Sequence, residues 1–497
     1  MTSNGKRIAP PKASAMIEAL RGLGYNTATA LADIIDNSIA ADAENIWITF
    51  DWHGEKSKIT ILDDGVGMSK AELDIAMRLG EKNPLSNRAE NDLGRFGLGL
   101  KTASFSQCRR LTVATIGSDG WDCLRWDLDD LGIDGNSWYL HEGAHADSGD
   151  FSVKLKEQKS GTMVLWENLD RIITKGYQAQ DFLDLCDHVE KHLAMVFHRY
   201  LERKKTKINI YINDKKVLPW DPFLEGNISK PWVSPEAKAP GNPDIKVQCH
   251  VLPHKDRMSE KSYLNAQGPD GWTAQQGFYV YRNERLLLAG SWLGLGQGRS
   301  WTKDEAHRLA RIRLDIPNTS DTEWKIDIRK STARPPLELR SWLVRLAEET
   351  RVRARRAFAH RGKPAKNSDK DITQAWKTEH SATGIRYKID TEHVAIKNAL
   401  EQAGPLLADI QAMLRVIEET VPIQRIWLDT AENHETPQSS FDATPTEEMV
   451  EFLKSLFKRM TGTQGMSDEL ACEHLLNQEP FNNYPELVKS LPSVINN

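Results

Sequence analysis

Apolar residues recur at helical spacing in two stretches near the start of the chain. Met16, Ile17 and Leu20 fall on one face of a first helix. After a glycine break at 22–24, Leu31, Ile34, Ile35 and Ile39 line one face of a second helix that starts near Thr27. Two short β-branched runs follow, NIWITFDW (45–52) and SKITILDDG (57–65), and both predict strands. A helix is expected from Ser69 to Leu79, and the polar stretch GEKNPLSNRAEND (80–92) has no period and reads as a loop. Strand-like runs lie near 110–116, 124–128 and 161–166, and an amphipathic helix runs from about Phe182 to Leu201. From Lys205 the pattern changes. KINIYINDKKVLPW, KVQCHVLP, GFYVYRNERLLL, RIRLDIP and EWKIDIRKSTARPP predict strands, closed by a helix from Pro336 to about Phe358. HRGKPAKNSDKD (360–371) reads as a linker, and beyond it helices are expected near 394–419, 446–461 and 467–477, with little strand signal. The fold class is therefore α+β, divided as 1–204, 205–359, a linker at 360–371 and a mostly helical region at 372–497.

Composition narrows the function classes. With 65 basic against 70 acidic residues the formal charge is −5, which excludes a uniformly basic nucleic-acid binder and leaves room for a local basic patch. No apolar run approaches the ~18–20 residues that span a bilayer, and MTSNGKRIAPPKASAM lacks the apolar centre of a secretion signal. The five cysteines include no CxxC pair, so a disulfide framework or cysteine zinc site is not indicated and a cytoplasmic setting is expected.

Three separated clusters carry chemistry. ADIIDNSIAADA places Asp33 and Asn37 four residues apart on a helix, hence on one side of it. In ILDDGVGM a strand ends at Asp63, and Gly65 and Gly67, followed by Met68, let backbone come close to a ligand. In DLGRFGLGLKTASFSQ (92–107), Gly94, Gly97, Leu98 and Gly99 lead to Lys101 at an expected helix N-terminus, where free N–H groups favour an anion. A fourth element is SGTMVLW, where Gly161 and Thr162 precede a strand.

In order and spacing, these four elements resemble the Bergerat ATP-binding fold of the GHKL superfamily, which includes gyrase B, MutL, large heat-shock chaperones, histidine kinases and MORC proteins. The resemblance implies a Bergerat-fold sandwich, then a ribosomal S5-like transducer domain, then the helical C-terminal region. It assigns Asp63 to the adenine amino group with Thr162 in support, and Asn37 to a Mg²⁺ ion bridging the phosphates of ATP. Gly97, Gly99 and Lys101 would cradle the phosphates beneath a lid at 80–94. Asp33 would orient or deprotonate the attacking water. Most relatives carry glutamate there. Aspartate is one methylene shorter, so slow turnover is expected.

A histidine-kinase arrangement is not expected, because no histidine precedes the Asp33 helix. GFYVYRNERLLLAGSW (277–292) resembles a transducer strand pair of MORC proteins, and transducers send a lysine to the γ-phosphate. Lys325, Arg329 and Lys330 are the candidates, and Lys330 is favoured at the end of its expected strand. The likeness is nearest to bacterial MORC-like ATPases and covers about residues 12–350. It implies a homodimeric clamp closed by ATP, with DNA maintenance or antiphage defence as the setting and a protein partner for the C-terminal region. The basic run RVRARRAFAHRGK (351–363) is the candidate DNA contact. A rival reading is a nucleotide-gated scaffold that binds ATP without hydrolysis. HEGAH (141–145) matches a zinc-peptidase signature, but that chemistry needs a helix, and Gly143 and the polar ADSGD argue for a loop.

Overall fold

The computed structural model describes residues 12–80, 99–131, 138–203, 208–226, 230–320, 323–327, 332–359, 373–381, 384–423, 425–426, 445, 447–462 and 465–495. The chain forms two compact units, residues 1–363 and 364–497.

In the first unit, helices α1 (Ala13–Arg21) and α2 (Thr27–Ala40) precede strands β1 (Asn45–Asp51) and β2 (Lys58–Asp63). Helix α2 starts where the Asn26 side chain accepts the Thr29 N–H at 2.8 Å, satisfying a donor that the first turn leaves open. Leu31, Ile34 and Ile35 are buried along it, each worth about 1.5–3 kcal/mol of transfer from water. On β1 and β2 every second residue faces the same core, with Ile48 opposite Ile61 and Phe50 opposite Ile59. Next come α3 (Lys70–Met77), α4 (Gly99–Phe105), β3 (Arg110–Gly117), β4 (Gly120–Asp127), β5 (His141–Glu142), β6 (Gly161–Glu167) and α5 (Ala179–Val196). Strands β7 (Asn209–Ile212) and β8 (Lys215–Lys216) complete an eight-stranded sheet in the order β5-β4-β3-β6-β2-β1-β7-β8. Side chains of the four helices α1, α2, α4 and α5 meet one face of this sheet in a single core, among them Ile17, Leu31, Phe105 and Leu193.

The sequence-based boundary at 204/205 falls inside this sheet. The strand at 209–212, expected to open a second domain, pairs in parallel with β1, from Asn45 opposite Asn209 to Ile48 opposite Ile212. Its alternation buries Ile210 and Ile212, and such a pattern suits an edge position on either sheet.

The second sheet comprises β9 (Trp232–Val233), β10 (Ala237–Ala239), β11 (Asn242–Val251), β12 (Gly277–Arg282), β13 (Arg285–Ser291) and β14 (Ala310–Ile316). Its order is β10-β11-β14-β12-β13, with β9 on β11 and a parallel β12–β14 pair. Helix α6 (Leu337–Ala359) packs Leu339, Leu343 and Ala347 into one core with Phe278, Val280 and Leu287. The alternate residues Tyr279, Tyr281 and Leu286 enter the core of the first sheet instead. The β12–β13 pair is thus covered on both faces, and this explains its nearly unbroken apolar run.

The stretch at 323–327 is not the expected strand. Trp324 and Ile326 are buried, which reproduces strand alternation, but Lys325 between them has a left-handed backbone, φ 50°, and residues 323–325 form a turn.

The second unit contains a hairpin, β15 (Trp376–Ser381) with β16 (Gly384–Ile389), that the polar residues in both strands hid from the sequence reading. Helices α7 (Val394–Gln402), α8 (Leu407–Glu419), α9 (Glu447–Gly462), α10 (Asp468–Leu476) and α11 (Pro485–Ile495) follow. Leu453, Phe457, Leu475, Phe481 and Val488 form the core of this unit. Among the described residues no helix is long and apolar enough to cross a membrane.

Candidate functional site

Asp63 ends β2, and backbone geometry brings three donors to its carboxylate. Ser38 Oγ on α2 donates to Oδ2 at 2.7 Å, and the Gly65 and Thr162 N–H groups donate to Oδ1 at 3.1 Å each. The Thr162 bond arises because β2 and β6 are in register at Asp63–Thr162. Burial pushes the Asp63 carboxyl above its ordinary value, and the three hydrogen bonds oppose that rise.

The glycines around Asp63 are places where backbone crosses backbone. A Cβ on Gly65 would lie 2.7 Å from the Ala41 carbonyl oxygen. Gly67 has φ +70°, and a Cβ there would lie 2.0 Å from the Ile116 carbonyl oxygen. Beyond it the Met68 N–H donates to Thr115 Oγ1 at 2.9 Å, and that hydroxyl donates to the Gly161 carbonyl at 3.0 Å. Asp63, Gly65, Gly67, Met68 and Thr162 therefore lie together at one sheet end.

Two turns of α2 hold the other acids. Asp33 is 4% exposed, and its Oδ2 accepts from Tyr25 Oη at 2.8 Å. Burial and the Asp33 charge both push the Tyr25 phenol up, so it stays a neutral donor. Arg285, at the start of β13, approaches from the second sheet. Its Nε lies 3.2 Å from each Asp36 oxygen, its Nη1 donates to the Leu286 carbonyl at 2.7 Å, and its Nη2 lies 3.5 Å from Asp33 Oδ1. Nearby His192 is pushed down to about 3 by burial and by the charges of Arg285 and His188, so it is a neutral imidazole. Asn37, one turn on from Asp33, is exposed.

Gly99 begins α4, and Lys101 two residues later is 3% exposed with its ammonium on the Ala76 carbonyl at 2.7 Å. Gly94, Gly97 and Leu98, most of the expected lid, and Lys330 lie outside the described residues. The nearest described residues in the chain are Asp327 and Thr332, and the Thr332 N–H donates to Asp327 Oδ1 at 2.9 Å.

Arg285 and Tyr25 are the functional candidates that sequence reasoning missed. Arg285 stands in the quoted transducer-like pair, yet attention there fell on the lysines of a later segment. Its value follows only from docking of the two sheets.

The alternative motifs are placed as follows. His141 lies in the two-residue strand β5, 2.8 Å from Asp130, and His145 Nδ1 accepts the Asp147 N–H at 3.2 Å. The two imidazoles do not share a helix face. Within the basic run, Arg351 is withdrawn from the surface, its guanidinium 4.8 Å from the Trp292 ring and 4.7 Å from the Trp301 ring. Arg353, Arg355 and Arg356 are exposed.

The profile of the histidine kinase-, DNA gyrase B- and HSP90-like ATPases matches residues 25–162, the span that holds Tyr25, both α2 acids, Asp63 and Thr162. A stretch of 87 residues is 32% identical to the ATPase morc-1 of Caenorhabditis elegans, covering 18% of this chain and 10% of the worm protein.

Proposed function

Because residues 25–162 belong to the histidine kinase-, DNA gyrase B- and HSP90-like (GHKL) ATPase superfamily, with a MORC-like relative, we propose that this chain is an Mg²⁺-dependent ATP hydrolase that works as an ATP-gated dimeric clamp. The observation that carries the reading is the Asp63 carboxylate, presented by Ser38, Gly65 and Thr162 at a glycine-lined sheet end. A buried carboxylate held as an acceptor suits the amino group of adenine. The close backbone crossings at Gly65 and Gly67 leave no room for a side chain beside it.

The roles then follow along α2. Asn37 offers the oxygen ligand for Mg²⁺, which would neutralise phosphate charge; one protein ligand with phosphates and waters is an ordinary set for that ion. Asp33 orients or deprotonates water. Gly97, Gly99 and Lys101 hold phosphates, and Lys101 exchanges the Ala76 carbonyl for them. Lys330, which lies outside the described residues, is proposed for the γ-phosphate from the transducer-like sequence that carries it. In this class of chemistry, positioning and charge stabilisation do most of the work. ATP drives closure only to the extent that it binds the closed dimer better than the open form. The exposed Arg353, Arg355 and Arg356 offer phosphate contacts for DNA, and such binding weakens steeply with salt.

The test is Mg²⁺-dependent phosphate release by the full chain beside its Asp33→Ala and Asp63→Asn variants. Release by wild type, lost in both variants, with ATP binding lost only in Asp63→Asn, is the expected result. ATP binding without release by wild type establishes the non-hydrolysing scaffold instead.

A further inference from the structure

Resting on that hydrolytic reading, we propose that Arg285 is a positioning residue for the Asp33 carboxylate. Through it, the second sheet builds part of the reaction centre. Every nitrogen of the Arg285 guanidinium has an assigned direction: Nε to Asp36, Nη1 to the Leu286 carbonyl and Nη2 towards Asp33. A planar group hydrogen-bonded through Nε and Nη1 presents Nη2 in one place. Among its partners Asp33 then has Tyr25 Oη on Oδ2 at 2.8 Å and the Arg285 charge 3.5 Å from Oδ1. Asp36 anchors the arginine and so acts on Asp33 at one remove.

The arrangement suits an aspartate. Its short side chain cannot search for the water as a glutamate can, so its placement depends on the backbone of α2 and on these donors. Misplacing a reacting group by about 1 Å costs on the order of 100-fold in rate.

The test uses the full chain and separates turnover from binding. Arg285→Met alone removes a buried guanidinium from beside two buried carboxylates and endangers the fold, so it is combined with Asp36→Asn, which removes one charge of each sign. Arg285→Lys is the second variant: its ammonium keeps the charge but cannot serve three directions. For both, kcat for Mg·ATP is expected to fall about 10- to 100-fold. KM, the affinity for a non-hydrolysable ATP analogue and the melting temperature are expected to stay close to wild type. The role is overturned if kcat is unchanged or raised in the folded double variant, or if the loss lies in KM and analogue affinity alone. Failure of the hydrolytic reading looks different: the wild type itself binds the analogue and releases no phosphate from ATP, which refutes the positioning role as well.

Discussion

The two ends of the candidate site are built differently. At the Asp63 end every named partner comes from the first sheet or from α2, and all are neutral: a serine hydroxyl and two backbone N–H groups. At the Asp33 end the named partners are Tyr25, from just before α2, and Arg285, from the second sheet, which forms a buried ion pair with the α2 acids. In the proposed function the first end would recognise a base through local donors, whereas the second end depends on how two sheets dock. On that reading recognition is local and chemistry is shared.

Breaking the shared end has the largest effect on stability. Arg285→Met alone removes the guanidinium that meets buried Asp36 and Asp33, and a loss of about 3–5 kcal/mol is expected by thermal or denaturant unfolding. Adding Asp36→Asn should restore most of it, and if it restores none the pair is not the source of the loss.

The local end breaks through backbone instead. Gly67→Ala forces a Cβ into the Ile116 carbonyl at a left-handed backbone angle, and about 2–4 kcal/mol should be lost. The same unfolding experiment checks it. Combined with the Arg285→Met, Asp36→Asn pair, the loss should be close to additive, since Gly67 meets β3 at Ile116 while the pair joins α2 to β13.

The smallest effect is a pH dependence. Burial raises the folded Asp63 carboxyl above its ordinary value of 3.8, so the folded chain binds the proton more tightly than the unfolded chain. That contribution is fully present below the ordinary value and is lost as pH rises through the raised one. Asp63→Asn removes this dependence while its carbonyl and amide can still meet the Gly65, Thr162 and Ser38 groups. Relative to wild type the variant should therefore be more stable at pH 7 than at pH 3, as melting curves at the two pH values would show.

What the sequence disclosed follows the same division. Asp63, Gly65, Gly67 and Thr162 could be read directly, because close backbone crossings demand glycine and one register bond joins β2 to β6. Arg285 could not be read. It lies 249 positions from Asp36, and no local pattern records which face of β13 meets α2. Strand β7 shows the same limit. Its alternation identified a strand, whereas membership of the first sheet depends on a parallel pairing across more than 160 residues. The false strand at 323–327 arose because Trp324 and Ile326 mimic alternation through a turn.

Strand β12 sends Phe278 and Val280 to one core and Tyr279 and Tyr281 to the other. A sheet pinned on both faces is a lever rather than a hinge. A load applied to the long helix α6 cannot be relieved by swinging the second sheet away from the first, because that would tear tyrosines out of close packing. Polar contacts add to this anchoring: Tyr281 Oη lies 2.8 Å from His198 Nε2, and Arg285 on β13 meets Asp36 of α2.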